Sequence, residues 1–510
     1  MNVRRLLTSI IAACCIALFA SASAYADEGS QTPQSNVLSH AVAPTGFVVP
    51  GLSSDDGQHA NQASGSDVRV LEAGGQCGDR LAWQFVDGTL VISGSGSMSD
   101  FSLDDQPGWS DLRDDIESVV IKRGVNSIGA YAFAGCRNLV SVSVTSSVNE
   151  LGEAAFYGCS SLRSVKLPNR VAVLPRGALA GCVSLQSFKA PGLRRIESYA
   201  FQDVEIDTLK LPKTLNEIET GAFYHSSIVS FLVENGNRTY LTKAGVLYTD
   251  DDKTLFAYPS GRSSRSFAIP PGVTRIADQA FLGSTLKSVE IPDTVKEIGS
   301  AAFQDCRDLV SVALPDSVEL VGSCTFYGSG LESARFGRGL KATSYQMFRE
   351  CRNLRSVSFG GLEELGAQTF ANCTAFTSVT VPVNVKSIGA GAFGCTADAH
   401  PQLKGVTILG ARVIPLQCFL NQTSLTMVSL SKATEEIECA AFSGCSELKV
   451  VKLPSSVQNV HPFAFPGTVR IIGKNRTSAQ EANGEGEAQA SLCSICQERY
   501  DTYLEKRESN

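Results

Sequence analysis

The chain has 510 residues, 43% apolar and 19% charged, with 44 Lys and Arg against 51 Asp and Glu for a formal charge of −7. This composition excludes a disordered chain, which would be poorer in apolar residues, and a general nucleic-acid binder, which needs a basic footprint. The five histidines, at 40, 59, 225, 400 and 461, are never close in sequence, so HExxH and His-rich metal motifs are absent.

Residues 1–26 read as a secretory signal peptide. Arg4 and Arg5 supply its charge, Leu6 to Ala20 is an apolar run too short for a comfortable membrane span, and Ala24-Tyr25-Ala26 places small residues at the cleavage positions. Ile11-Ala12-Ala13-Cys14 offers a rival reading, lipidation at Cys14, although the apolar run continues past it to Phe19. No later stretch is apolar enough to span a bilayer, so no transmembrane segment is expected after signal removal. Residues 27–66 are polar and read as a disordered lead-in.

From there a short signature, Ala-Phe-x-Gly-Cys or a near variant, recurs. Its aromatic, or a substitute, falls at Phe133, Phe156, Leu179, Phe201, Phe223, Phe281, Phe303, Phe326, Phe348, Phe370, Phe393, Phe419, Phe442 and Phe465. Most steps are 22 or 23 residues, the period of a solenoid in which each unit buries its apolar side against its neighbours. In residues 148–168, Ser164 to Leu167 alternates polar and apolar as a half-buried strand, Pro168 ends it, and Gly152 and Gly158 permit tight turns. Stacked strands then form a parallel sheet. The long step from Phe223 to Phe281 is one unit plus extra residues or a degenerate unit with a smaller insert; it holds two β-rich runs around Asp250-Asp251-Asp252, which read as a hairpin insert at about 229–268 protruding from the solenoid. Its acidic turn is read as solvated, with calcium binding as the less favoured alternative.

These units resemble the BspA-type bacterial leucine-rich repeats, whose unit looks like I-G-x-x-A-F-x-x-C-x-x-L-x-x-V-x-L-P. Ile128-Gly129-Ala130-Tyr131-Ala132-Phe133-Ala134-Gly135-Cys136 and Ile298-Gly299-Ser300-Ala301-Ala302-Phe303-Gln304-Asp305-Cys306 match it closely. The segment with Cys77-Gly78, Trp83, Gly88 to Gly94 and Pro107-Gly108-Trp109 is similar to the family's lead-in. The resemblance covers about residues 70–475. It implies a curved repeat solenoid, mostly β and loop, with its parallel sheet on the concave face. It also implies export, display on or release from a bacterial surface, and adhesion to host proteins or other cells.

The expected organisation is a signal peptide at 1–26, the lead-in at 27–66, a β-rich N-terminal cap module at 67–122, the solenoid at 123–473, and a polar linker with a short helical tail at 474–510. Leu179 for Phe, and Thr325, Met347, Thr369 and Cys418 for the Ala before the aromatic, read as ageing repeats.

Eight cysteines stand two or three residues after the repeat aromatic and would form a column inside the coil, read as buried thiols filling space, with disulfides between adjacent members as the alternative. Cys77, Cys324, Cys418 and Cys439 share no spacing with it. Cys493 and Cys496 form a CxxC outside the repeats, read as a local disulfide or idle thiols, with a shared metal site or intermolecular pairing as the rival.

Two outward columns run along the strands. The first is mostly Ser and Thr, from Ser141 through Ser378, ending in Gly405, Met427 and Val450. The second holds Lys166, Lys189 and Lys210 on successive strands, a row of like charge with no folding benefit and the candidate contact for an acidic protein or glycan. No P-loop and no Cys–His pair appears. Ser93-Gly94-Ser95-Gly96-Ser97 reads as a turn, and Asp104, Asp105, Asp114 and Asp115 as a solvated loop. The expectation is a secreted or surface-bound, non-catalytic protein with no cofactor and no metal. Its partner is expected to be a host extracellular protein, a glycan or another cell surface. Self-association in a structural role and action as a secreted effector of host signalling are the alternatives.

Overall fold

The computed structural model describes residues 73–473, except 103. The expected signal peptide, lead-in, Cys14, Cys493, Cys496 and helical tail lie outside the described residues. The chain divides into two compact units at Leu309 and Val310. Both are β-solenoid. Among the described residues the one helical segment is a single 3-10 turn, Ser110–Leu112.

The first unit opens on an antiparallel meander, Ala73–Gly78, Leu81–Val86 and Thr89–Gly94. The last of these pairs in parallel with Ser118–Ile121, which pairs with Ser141–Val144, and the ladder continues through Ser164–Lys166 to Ser187–Lys189. The meander thus presents the first repeat with a ready strand edge, the need that a terminal cap meets in a solenoid. Along each strand the alternation read from sequence holds: Val165 is buried between exposed Ser164 and Lys166. The short second segment of each unit is a two-residue strand that forms its own parallel ladder, as in Val173–Leu174, Arg195–Ile196 and Glu217–Ile218.

The signature itself forms the turn between these ladders. At most units, residues two before and two after the aromatic have positive φ, as at Ala154 (51°) and Gly158 (68°), Gly177 (61°) and Gly181 (75°), and Tyr199 (61°) and Asp203 (54°). That left-handed demand explains the Gly of the signature and its replacement by Asp, Asn or His. Gly152 has a different reason: a Cβ there would collide with the backbone of Gly129 and Ala130 in the preceding coil. With this geometry, N–H groups at the aromatic and two residues either side donate to the next coil. Ala154, Phe156 and Gly158 donate to the carbonyls of Arg176, Ala178 and Ala180 at 2.9, 3.0 and 2.7 Å.

Inside, the aromatic rings stack. In the first unit the stack starts at Trp109, 5.9 Å from Phe133, which lies 5.4 Å from Phe156. Trp109 is fully buried, and its indole N–H donates to the Ala132 carbonyl at 2.9 Å. The lead-in tryptophan is therefore the first rung of the ladder. Leu179 keeps the core position without a ring and is fully buried. In the second unit six successive contacts of 4.8–5.6 Å join Phe326 to Phe465. The threonines at the signature alanine are satisfied as well as buried: Thr325 donates to the Gly322 carbonyl and Thr369 to that of Gly366.

The insert differs from its reading. Ser227–Val233 pairs in parallel with Glu205–Leu211 and is an ordinary repeat strand. Tyr240–Lys243, Val246–Thr249 and Thr254–Ala257 form an antiparallel meander, but its last strand joins the short-strand ladder beside Arg275–Ile276 instead of protruding. Tyr258 then stacks on Phe281 at 5.2 Å, as the aromatic of a degenerate unit. The aspartates at the hairpin tip hold the turn: Asp251 accepts from the Lys253 N–H at 3.0 Å and Asp252 pairs with Lys243 at 2.6 Å.

None of the twelve described cysteines forms a disulfide, and all but Cys324 are buried. The column is a set of donors. The thiols of Cys159, Cys182, Cys306, Cys351, Cys373 and Cys445 each donate to the carbonyl of the preceding coil's aromatic, at 3.0–3.3 Å. Gln422, at the same position, donates to the Phe393 carbonyl. A disulfide would remove that donor and leave the carbonyl only the N–H of its own turn, as from Cys159 to Phe156 at 3.2 Å.

Two expectations follow. Trp109→Phe keeps a ring but strands the Ala132 carbonyl and should cost about 1–3 kcal/mol, whereas Trp109→Ala should cost about 3–5 kcal/mol; the shift in urea midpoint measures both. Burial pushes the Cys136, Cys182, Cys306, Cys351, Cys395 and Cys445 thiols from 9.0 up to about 12. Above pH 9 the unfolded chain releases these protons while the fold retains them. Their stabilisation is therefore complete below pH 9 and lost as pH rises toward 12. Urea midpoints should fall on crossing pH 9, with a shallower slope in Cys351→Ser; equal slopes in the two proteins would contradict the assignment.

Candidate functional site

The exposed side of the long-strand ladder carries the residues singled out from sequence. Lys166 and Lys189 stand directly opposite each other in parallel register, one strand spacing apart, about 4.8 Å. Both are exposed, as is Lys210. Lys210 lies on the adjoining strand Glu205–Leu211, which begins a separate two-stranded sheet, so the hydrogen-bonded ladder breaks between the second and third lysines. The row continues differently from the sequence register: Lys210 is opposite Leu232, which is 47% exposed. The serine column is confirmed in register, Ser141 to Ser164 to Ser187 in the first unit and Ser311 to Ser333 to Ser356 in the second.

The two ladders of the first unit handle charge differently. On the short-strand ladder opposite charges meet: Arg195 pairs with Glu197, Glu217 and Glu219, and Arg275 with Glu297 at 2.9 Å. The Arg195 guanidinium, together with the Ser198 N–H and hydroxyl, holds the Glu219 carboxyl below its ordinary value, against the opposing effect of burial. On the long-strand ladder the three lysines have no carboxylate partner among the described residues. Where folding benefits from charge, this chain pairs it; at the lysines it stacks like on like.

In the second unit, the small-residue column gives way to apolar side chains. Met427 is 60% and Val450 47% exposed on strands Met427–Leu430 and Val450–Lys452. The Met427 methyl lies over Gly405, where a Cβ would come within 3.2 Å of it. Sequence reading placed these residues in the column without marking them as contacts; the signal was their size where neighbouring strands carry serine.

Among the described residues no group of three or more His, Cys, Asp or Glu is placed to hold a metal. The buried thiols stay protonated at neutral pH and lack the thiolate that nucleophilic chemistry requires. Among the described residues no helix is long and apolar enough to cross a membrane.

Residues 112–230, 262–399 and 412–478 match the family model for the BspA type leucine rich repeat region, in six copies. No curated protein matches. Among solved structures, a leucine-rich repeat protein from Eubacterium ventriosum is 21% identical, covering 80% of this chain and 97% of its own, with a TM-score of 0.49. One from Bacteroides ovatus is 23% identical over 77% of this chain and 98% of its own, TM-score 0.42. A leucine rich cell surface protein from Faecalibacterium prausnitzii is 20% identical over 84% and 100%, TM-score 0.39.

Proposed function

This chain belongs to the BspA-type leucine-rich repeat family, and we propose that it is an exported, non-catalytic recognition protein, secreted or held at the bacterial cell surface. Its long-strand face binds an acidic macromolecular partner, a host extracellular protein, a glycan or another cell's surface. The signal-like residues 1–26 support export. The observation that carries the binding reading is the lysine row. Lys166 and Lys189 face each other without carboxylate partners among the described residues, on a fold that neutralises charge on its other ladder. Such a row is unfavourable in the free protein and is relieved by the opposite charge of an anionic partner.

Met427 and Val450 support a second reading, in which copies of the chain associate through an exposed apolar pair. Sedimentation of the purified chain separates the two: self-association raises mass with concentration and is suppressed by Met427→Ser with Val450→Ser.

The binding reading is tested on arrays of matrix proteins, mucins and whole bacteria at two salt concentrations. Changing Lys166, Lys189 and Lys210 together to Ser should weaken binding at low salt by about tenfold or more and flatten its salt dependence. Unchanged affinity and an unchanged salt slope in the triple variant would exclude the lysine row as the contact.

A further inference from the structure

The first unit contains a cavity of about 130 Å³ between the coil of Phe223 and that of Tyr258. It marks the place where the coil-to-coil pattern fails. Tyr199, Phe201 and Asp203 donate their N–H groups to Gly221, Ala222 and Tyr224. The equivalent N–H groups of Gly221 and Phe223 make no backbone hydrogen bond among the described residues. The chain departs into its meander after Val233 and regains the coil path at Thr254–Ala257. Phe223 is half-buried for the same reason, whereas the other ladder rings from Phe133 to Phe442 are fully buried. Gly221 and Phe223 line this space together with Phe256, Tyr258 and Asp278. The hydroxyl of Tyr258 is also buried; it lies near Arg262 and Ser264 but meets neither at hydrogen-bonding geometry.

The charges around the cavity decide what it takes. Glu219 is held by Arg195 and Ser198, and Arg275 by Glu297 at 2.9 Å. Asp278 accepts from the Ser300 N–H at 3.0 Å and has Arg275 at 3.9 Å. No uncompensated cation is left to recruit an anion. The N–H groups without a backbone partner need oxygen acceptors, the Asp278 carboxyl accepts further hydroxyls, and the aromatic walls suit a C–H face. A neutral ligand that both donates and accepts, with an apolar face, meets all three demands. At about 130 Å³ the cavity is smaller than the cavity of about 150 Å³ that holds benzene, so it admits one edge of a six-membered ring while the rest lies at the mouth. Substituents on such a ring reach the mouth, where Thr220 and Gln279 are half-buried.

We propose that this cavity is a binding site for one neutral sugar ring, whose oxygens accept from the Gly221 and Phe223 N–H groups and whose hydroxyls donate to Asp278. The site is separate from the lysine row, so the triple lysine variant should leave it unchanged.

The test is calorimetric titration of the full chain with glucose, galactose and N-acetylglucosamine, with sodium acetate as the anionic control. Saturable millimolar binding of at least one sugar is expected. Asp278→Asn keeps an oxygen for the Ser300 N–H but loses the carboxylate, and should weaken binding about tenfold, the equivalent of one hydrogen bond. Ala277→Leu fills the cavity from a buried lining position and should abolish binding. Circular dichroism checks that each variant folds; should Ala277→Leu not fold, Asp278→Asn carries the test alone. Absence of saturable sugar binding, binding unchanged in the folded variants, or a preference for acetate would each overturn the proposal.

Discussion

Each coil of this protein presents a row of backbone N–H groups that only the next coil can accept. Because an unpaired buried amide costs about 1–3 kcal/mol, a coil is stable only when another lies against it. The alternating positive φ values, as at Tyr199 and Asp203, aim every second N–H along the stack. The same spacing brings aromatic side chains of neighbouring coils to about 5 Å, as for Phe419 and Phe442. Strand pairing, ring stacking and turn hydrogen bonds therefore share one translation from coil to coil. The features that depart from it are the informative ones.

The thiol column belongs to the same scheme. In most regular coils the carbonyl of the aromatic meets a side-chain donor of the following coil, as Phe326 meets Cys351. Cys351 and Gln422 donate in this way, whereas Ser226 at the equivalent position donates to the carbonyl of its own coil's Phe223. Val204 is the apolar exception. Cysteine combines a donor with the burial preference of a small hydrophobe. Burial in turn raises the thiol pKa, keeps the proton on sulfur, and preserves the donor. A high cysteine count is thus compatible with a fold that uses its thiols without disulfides.

Surface chemistry follows from what the coils leave undetermined. Side chains on the short-strand ladder are drawn into ion pairs across coils, as around Arg195. The long-strand face has small hydroxylated residues at one position and freedom at the next, and the lysines occupy that freedom. The cavity beside Phe223 arises from the opposite cause: the meander interrupts the translation, so residues whose N–H groups a regular coil pairs with the next backbone line a space together with aromatic residues.

The sequence by itself determined the solenoid, its period, the inward and outward faces of its strands, and the positions of the ladder rings. A repeated local pattern needs only one solution, and nearest-neighbour stacking repeats it. It also placed Lys166 and Lys189 in register, because parallel strands one repeat apart align equivalent residues. Other properties depended on contacts between coils. The donor role of the cysteines required knowing which carbonyl lies above each thiol. The reason for Gly152 required the backbone of the preceding coil. The place of Tyr258 in the ladder and the break between Lys189 and Lys210 were hidden because the meander and the change of sheet carry no repeat signature. Periodicity reports what recurs; where the chain leaves its period, only packing decides which side chains meet.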